Sequence, residues 1–257
     1  MIKPKPQPGI MDIELYIGGK STVEGMPSIL KLSSNENPSG PPLAAQQALI
    51  SAGHSLHRYP PSDHLDLRSA IAKIHELDVS KIICGCGSDE LISLLCRAYA
   101  GPGVEVIHTS HGFLMYRICA MAAGATVVSV PEEERHVDVD AILNVINPNT
   151  GVIFIANPGN PTGTKILDFD IERLIKGTPK DVLVVLDGAY ADSVDGWDGG
   201  AKFVESHTNV VMLRTLSKMY GLGGLRVGWC YAPQHIVAVL DRVRAPFNLS
   251  VRALLAV

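Results

Sequence analysis

Three apolar runs in the second half of the sequence stop abruptly at residues that can take part in chemistry. The first leads to Asn160, the second to Asp187 and Tyr190, and the third to Lys218. A charged side chain at the tip of an apolar strand is costly to bury unless it is paired or binds a ligand. Since ligands of α/β sheets bind beyond the carboxyl ends of the strands, we expect these four side chains to converge on one site.

Two interpretations of this group are open from the residues alone. In the first, Asp187 and Lys218 form a buried ion pair, with Asn160 and Tyr190 as hydrogen-bonded neighbours. In the second, one ligand binds all four side chains. A lysine at a partly dry strand end has a lowered pKa and becomes an amine nucleophile able to form a Schiff base. A carboxylate facing it suits a protonated pyridine nitrogen, and these are the groups that bind pyridoxal 5′-phosphate (PLP).

Phosphate-binding groups of the kind that PLP needs are also present. Ser88, Asp89 and Glu90 open a predicted helix, where free backbone N–H groups suit a phosphate. Ser217 precedes the glycine-rich segment MYGLGGLR and Arg226 ends it, and the backbone of this segment can approach a ligand closely. A plain strand–turn–helix junction, with Ser88 as the helix N-cap, explains the first group equally well.

Predicted helices and short β-branched strands alternate from residue 43 onward. This alternation indicates an α/β domain with a mostly parallel, buried sheet. The predicted helices span residues 43–52, 65–76, 89–100, 116–123, 139–146, 168–175 and 233–243, and a further helical pattern follows Ser250. The predicted strands span residues 81–84, 104–108, 126–130, 151–156, 181–186, 210–213 and 227–231. Residues 1–42, rich in Pro, Gly and Ser, form a predicted N-terminal arm.

Composition narrows the functional classes. The chain has 257 residues, of which 46% are hydrophobic and 19% charged, so we expect a globular protein with a substantial core. A net charge of −4 gives no basic field for nucleic acid or an anionic membrane. No apolar run approaches the ~20 residues of a membrane span. The five cysteines lack zinc spacing, which predicts buried thiols, no metal and a reducing, cytoplasmic location.

Six motifs occur in the order and spacing found in fold-type I PLP-dependent aminotransferases, which the chain resembles. They are SNENPSGPP, RYP, GSDELI, NPGNPTG, LDGAY and RTLSKMYGLGGLRVG. The resemblance implies a three-layer, aspartate aminotransferase-like large domain over residues 43–257. It also implies transfer of an amino group from an amino donor to a 2-oxo acid. The motifs are most similar to those of aminotransferases that act on histidinol phosphate, so we expect that donor, with 2-oxoglutarate as acceptor, in histidine biosynthesis.

The resemblance further implies a role for each residue around the cofactor ring. Lys218 would bind the cofactor covalently and move a proton between substrate Cα and the cofactor. Asp187 would pair with the pyridine nitrogen, while Asn160 and Tyr190 would bind the ring hydroxyl. Phe113 would stack on the ring.

The phosphate end of the cofactor is expected to be bound from both subunits of a homodimer. In the same chain, the residues expected there are Ser88, Asp89, Glu90, Ser217 and Arg226. Tyr59 of the RYP motif would reach the phosphate of the partner subunit. This expectation makes the dimer a requirement for a complete site.

The sequence departs from the family at two points, of which only the second keeps other functions open. Gly188 stands where many relatives have glutamate. The sequence is expected to stop before the C-terminal small domain, which in the family carries the arginine that binds the substrate carboxylate. The alternatives are another amino-acid aminotransferase of this fold, for example for aromatic amino acids, a PLP enzyme acting on phosphorylated threonine, and a PLP-binding module without turnover.

Overall fold

The structure, a computed structural model, describes residues 3–22, 24–25 and 29–256. Within them, seven strands and nine α-helices alternate along the chain. The strands are β1 Ile82–Gly85, β2 Glu105–Thr109, β3 Thr126–Val130, β4 Thr150–Ala156, β5 Leu183–Asp187, β6 Val210–Thr215 and β7 Gly228–Tyr231. The helices are α1 Leu43–Ala52, α2 Leu65–His75, α3 Gly87–Tyr99, α4 Leu114–Ala122, α5 Val139–Val145, α6 Asp168–Gly177, α7 Ala201–Ser206, α8 Gln234–Val243 and α9 Val251–Leu255.

All seven strands belong to one sheet with the order β1-β7-β6-β5-β4-β2-β3. The pairs among β2, β3, β4, β5 and β6 are parallel, and β7 is antiparallel to both of its neighbours. The mostly parallel sheet predicted from the sequence is therefore confirmed. The connection from β6 to the antiparallel β7 contains only a 3₁₀ turn, Gly223–Leu225, and no α-helix of the kind that usually joins parallel strands.

Helices cover both faces of the sheet, which gives three layers. Strand residues alternate between two apolar cores: Val184 and Leu186 of β5 face one, and Val185 faces the other. Helices α3, α4 and α8 pack on the second face, and α2, α5, α6, α7 and α9 contribute to the first. A sheet buried on both faces explains why its strands read as continuous apolar runs.

The predicted elements agree with the observed ones to within a few residues, with two differences. Strand β6 continues past its predicted end through Arg214 and Thr215, both of which are buried. Helix α7 had no counterpart among the predictions, because its six residues are too few to show a helical period.

The arm before α1 is mostly exposed and contains short 3₁₀ turns at Ile10–Asp12 and Ser33–Asn35. The predicted domain boundary at residue 42 stays a prediction. Cys84, Cys96, Cys119 and Cys230 are buried thiols, but Cys86 is exposed because it lies beyond the end of β1, at the start of α3. The prediction of a buried thiol was wrong for Cys86. No helix among the described residues is long and apolar enough to cross a membrane.

Candidate active site

A cavity of about 520 Å³ opens beyond the carboxyl ends of β4, β5 and β6. The arm, the starts of α3 and α4, and the segments after these three strands form its wall. The lining residues are Tyr16, Ser34, Asn35, Ser88, Asp89, Gly112, Phe113, Leu114, Tyr116, Ala156, Pro158, Asn160, Pro161, Asp187, Ala189, Tyr190, Thr215, Ser217, Lys218 and Arg226. Every predicted site residue except Glu90 and Tyr59 is in this set.

Asp187 is the last residue of β5 and is only 4% exposed. Its carboxylate accepts a hydrogen bond of 2.6 Å from the hydroxyl of Tyr116 and one of 3.1 Å from the backbone N–H of Ala189. Burial raises the pKa of this carboxyl, and the two hydrogen bonds offset part of the rise. The carboxyl group of Asp187 is therefore fixed by hydrogen bonds and desolvated, which favours a cationic ligand beside it.

Lys218 projects into the same cavity but does not pair with Asp187. Among the described residues, no salt bridge joins Asp187 to Lys218. The Lys218 amine instead donates a 2.9 Å hydrogen bond to the backbone oxygen of Ser34. The amine also lies 5.7 Å from the centre of the Tyr190 ring. The interpretation of Asp187 and Lys218 as a buried ion pair was wrong. Both groups are free to bind a ligand placed between them.

Burial is the main cause that lowers the pKa of the Lys218 amine, and the positive charge of Arg226 lowers it further. The negative charges of Asp89, Glu36 and Asp187 act in the opposite direction. A lowered pKa enlarges the fraction of neutral amine near neutral pH, and the neutral amine is the nucleophile and the proton acceptor.

The arm closes one side of the cavity through Ser34 and Asn35. Both residues have a left-handed backbone, with φ of 72° and 50°. Asn35 donates a 2.7 Å hydrogen bond to the hydroxyl of Tyr190 and lies 3.5 Å from the side-chain oxygen of Asn160. The two residues predicted to bind a ring hydroxyl are thus joined by an arm residue that had no predicted role.

The start of α3 and Arg226 form the opposite end of the cavity. The first backbone N–H groups of a helix have no partner within it, so they can bind an anion. Arg226 donates hydrogen bonds to Asp89 at 2.9 Å and to Ser217 at 3.3 Å. Its backbone is left-handed, with φ of 57°, and its carbonyl accepts a 3.1 Å hydrogen bond from the N–H of Gly87.

Two glycines allow this close packing. A Cβ at Gly87, whose φ is +76°, would overlap the guanidinium of Arg226, and a Cβ at Gly228 would overlap the backbone nitrogen of Ser88. Strand β7 therefore reaches the first turn of α3 only because residue 228 lacks a side chain. The result is a small, N–H-rich concavity with one arginine, which fits a phosphate group.

Aromatic side chains form the wall next to Asp187. Phe113 precedes α4 and meets Tyr116 edge to face, with ring centres 5.8 Å apart. Tyr116 stacks on Phe154 of β4 at 4.8 Å. Phe113 is half-buried at the cavity, in a place from which its ring can cover a planar ligand.

Glu90 and Tyr59 differ from the other predicted residues. The carboxylate of Glu90 accepts hydrogen bonds from the N–H of Cys86 at 2.5 Å and from Asn248 at 2.7 Å, so it caps its own helix. Its carboxylate is therefore engaged outside the cavity, and a role for Glu90 at the cofactor stays a prediction. Tyr59 is 80% exposed, stacks on Phe247 at 4.6 Å and lies outside the cavity of its own chain. Its role in a partner subunit stays a prediction.

Sequence reasoning gave no role to Tyr116, Ser34 or Asn35. Tyr116 lies on a predicted helix, where an aromatic residue most often serves the core, and its hydroxyl contact with Asp187 spans 71 residues. Asn35 is part of the SNENPSGPP motif, which carries the family resemblance but gave no predicted role for an individual side chain.

Comparisons with known proteins agree with this geometry. The family described as aminotransferase class I and II matches residues 27–257. The histidinol-phosphate aminotransferase of Ruegeria sp. (strain TM1040) is 59% identical over 249 residues, 97% of this chain and 69% of that protein. That of Dinoroseobacter shibae is 60% identical over 251 residues, 98% of this chain and 70% of that protein. The structure of histidinol-phosphate aminotransferase from Sinorhizobium meliloti in complex with pyridoxal-5′-phosphate superposes with a TM-score of 0.83 at 25% identity, covering 87% of this chain and 61% of that one.

Proposed function

Because the chain belongs to the aminotransferase class I and II family, we propose that it transfers the amino group of histidinol phosphate to 2-oxoglutarate, with PLP as its cofactor. The products are imidazole acetol phosphate and glutamate. The observation that carries the reaction class is the arrangement of Asp187, Lys218 and Arg226 around one cavity. The name shared by the close relatives supports the choice of donor.

The residues of the cavity fit PLP at each of its polar groups. The first turn of α3, Ser217 and Arg226 suit the phosphate, and the carboxylate of Asp187 suits the ring nitrogen. Asn160 and Tyr190 suit the ring hydroxyl. When bound, PLP supplies an electron-withdrawing ring that stabilises the negative charge left when substrate Cα loses its proton.

Lys218 is the residue that we propose moves the proton at substrate Cα. Its amine has a lowered pKa, so a fraction of it is neutral and able to accept a proton. The carbonyl of Ser34, 2.9 Å away, orients the amine within the cavity. The remaining residues bind and orient, and none of them offers a second amine at this position among the described lining residues.

Asp187 is the residue that we propose holds the ring nitrogen in its protonated form. Without a cationic partner its pKa is raised by burial, so a positive charge placed beside it gains a strong, dry interaction. The hydrogen bond from Tyr116 fixes the orientation of the carboxylate.

We also propose that the active form is a cytoplasmic homodimer in which Tyr59 serves the site of the partner subunit. The exposed Tyr59–Phe247 pair supports this, because two stacked, exposed aromatic side chains are a common feature of interfaces. The free thiols among the described residues support a reducing compartment.

Glutamate formation from 2-oxoglutarate, with histidinol phosphate, phenylalanine and aspartate as alternative donors, tests the proposed function. We expect the highest kcat/KM with histidinol phosphate. A higher value with phenylalanine would assign the chain to aromatic amino acids instead. Tight PLP binding without single-turnover amino transfer from any donor would leave a cofactor-binding protein without turnover.

A further inference from the structure

A polar network behind the cavity joins the loop after β5 to the segment that carries Lys218. The carboxylate of Asp192 pairs with the guanidinium of Arg214 and accepts a 3.4 Å hydrogen bond from the hydroxyl of Tyr220. Arg214 precedes Lys218 by four residues and Tyr220 follows it by two. One carboxylate therefore binds the chain on both sides of the turn that presents Lys218.

The ion pair of this network is buried. The side chain of Arg214 is 5% exposed and that of Asp192 is 15% exposed. The guanidinium lies over the ring of Trp229 at 5.5 Å and donates to the backbone oxygen of Asp198 at 3.5 Å. Desolvation offsets most of the attraction in such a pair, so net stability is a weak reason for its presence. Its location indicates another role.

Arg214 also packs directly against the backbone that follows Asp187. A Cβ at Gly188 would lie 3.2 Å from Cδ of Arg214, and a Cβ at Gly199 would lie 2.7 Å from its Nη1. The N–H of Gly188 donates a 2.9 Å hydrogen bond to the carbonyl of Leu213, the residue before Arg214. There is little free space around this side chain, so a shift of Arg214 is transmitted to the backbone beside Asp187.

Neither Arg214 nor Asp192 is among the described residues that line the cavity. We propose that the Arg214–Asp192 pair is a positioning element that sets the separation between the carboxylate of Asp187 and the amine of Lys218. This inference rests on the proposed function for its consequence in catalysis. The placement of the two groups is itself a property of the cofactor-free protein.

The test compares Asp192→Asn, Asp192→Glu and Tyr220→Phe with the unmodified protein. The first readout is competitive acetylation of the Lys218 amine in the cofactor-free protein across pH, followed by mass spectrometry. The charges that act on Lys218 belong chiefly to Asp89, Arg226, Glu36 and Asp187. The unpaired charge of Arg214 in Asp192→Asn would lower the titration midpoint, so a rise reports a displacement. We expect the titration midpoint to rise toward that of an exposed lysine, slowing acetylation roughly threefold to tenfold at a fixed pH below it.

The second readout is the single-turnover rate with histidinol phosphate at saturating PLP. We expect it to fall roughly tenfold to a hundredfold in Asp192→Asn, with a smaller change in KM, because a displacement of about an ångström costs that much. Asp192→Glu should recover part of the rate. Tyr220→Phe leaves the ion pair in place and should show a smaller change in the same direction.

The control is Asp241→Asn, on α8 outside the cavity, which removes the partner of another largely buried arginine, Arg244, the residue after that helix. It should lower the melting temperature without changing either readout at Lys218. If Asp192→Asn and Tyr220→Phe also change only the melting temperature, the pair is purely structural and the inference is wrong. If the acetylation midpoint shifts but the unmodified protein transfers no amino group, the proposed function fails while the positioning role stands.

Discussion

Tyr116 donates a 2.6 Å hydrogen bond to the carboxylate of Asp187, from the first turn of α4 to the end of β5. Burial raises the pKa of Tyr116 well above its ordinary value, and the negative charge of Asp187 raises it further. Burial raises the pKa of Asp187, whereas the hydrogen bond from Tyr116 lowers it. The phenol therefore keeps its proton and supports the ionised form of the acid.

We expect Tyr116→Phe to slow amino transfer while PLP still binds. Loss of a hydrogen bond to a charged group costs ~1.5–3 kcal/mol, equivalent to a roughly tenfold to hundredfold lower rate. The pKa of Asp187 rises in the variant, so the acid limb of the single-turnover pH profile should move to higher pH. Tyr99→Phe, at the half-buried end of α3, is the control. An equal loss in both variants would deny Tyr116 a specific role.

The contact between β7 and α3 leads to a second prediction. A Cβ at Gly228 would overlap the backbone nitrogen of Ser88, so we expect Gly228→Ala to separate the strand from the helix start. The expected cost is ~1–3 kcal/mol of unfolding free energy, with weaker PLP binding. Urea unfolding and PLP titration check it. Gly224→Ala is the control, because no atom of the described residues lies within 4 Å of its Cβ position.

His64 leads to a prediction about acid stability. It is 2% exposed, and burial followed by the charge of Arg244 lowers its pKa to about 4. Between about pH 6.5 and pH 4 the unfolded chain binds a proton that the folded chain does not, so stability decreases as pH falls through this window. We expect His64→Asn to remove up to about 3 kcal/mol of this loss, because asparagine does not take up a proton. Asparagine is chosen since it tolerates the left-handed backbone at this position.

Urea unfolding of His64→Asn at several pH values checks this expectation. The exposed His54 supplies the control variant, His54→Asn, which should keep the acid sensitivity of the unmodified protein. A loss of stability in His64→Asn as steep as that of the control would show that His64 does not cause it.

The central residues of the site could be placed from the sequence because each follows a strand in the chain. Asn160, Asp187 and Lys218 come after continuous apolar runs, and parallel strands carry their ends to the same edge of a sheet. The hydrophobic pattern thus predicted both the fold and the location of these side chains. Arg226 was found through the glycine-rich segment that precedes it.

Contacts that depend on tertiary packing had no such local signal. Arg214 lay beyond the predicted end of its strand, yet it is a buried strand residue whose partner, Asp192, comes from another loop. Tyr116 and Asn35 reach the site from a helix and from the arm, neither of which carries a periodic pattern that points at Asp187 or Tyr190. Hydrophobic periodicity predicts which face of an element is buried. It does not predict which polar atom of another element will lie within hydrogen-bond distance of that face.

The proposed homodimer with shared sites can be tested by complementation between Tyr59 and Lys218 variants. We expect Tyr59→Ala and Lys218→Ala to be weakly active or inactive alone. A heterodimer of the two has one intact site if Tyr59 acts in the partner subunit, so unfolding and refolding an equal mixture should restore roughly a quarter of the sites. No recovery, with heterodimers verified by mass spectrometry, would show that Tyr59 does not complete the neighbouring site.

Removal of the two cationic side chains at the cavity, Lys218 and Arg226, should have different kinds of effect. In the proposed mechanism Lys218 supplies the covalent attachment and the proton transfer, for which no neighbour substitutes, so we expect Lys218→Ala to lose both borohydride-trapped cofactor and turnover. We propose Arg226 as one of several phosphate donors, and its guanidinium already pairs with Asp89 at 2.9 Å. Arg226→Ala should weaken PLP binding roughly tenfold to a hundredfold, from ~1.5–3 kcal/mol, and be partly rescued by excess PLP.

Asp187→Asn should bind PLP and react slowly, because a neutral partner no longer keeps the ring nitrogen protonated. Absorbance and single-turnover rates at saturating PLP separate the three variants, and covalent trapping in Lys218→Ala would remove Lys218 from its proposed role.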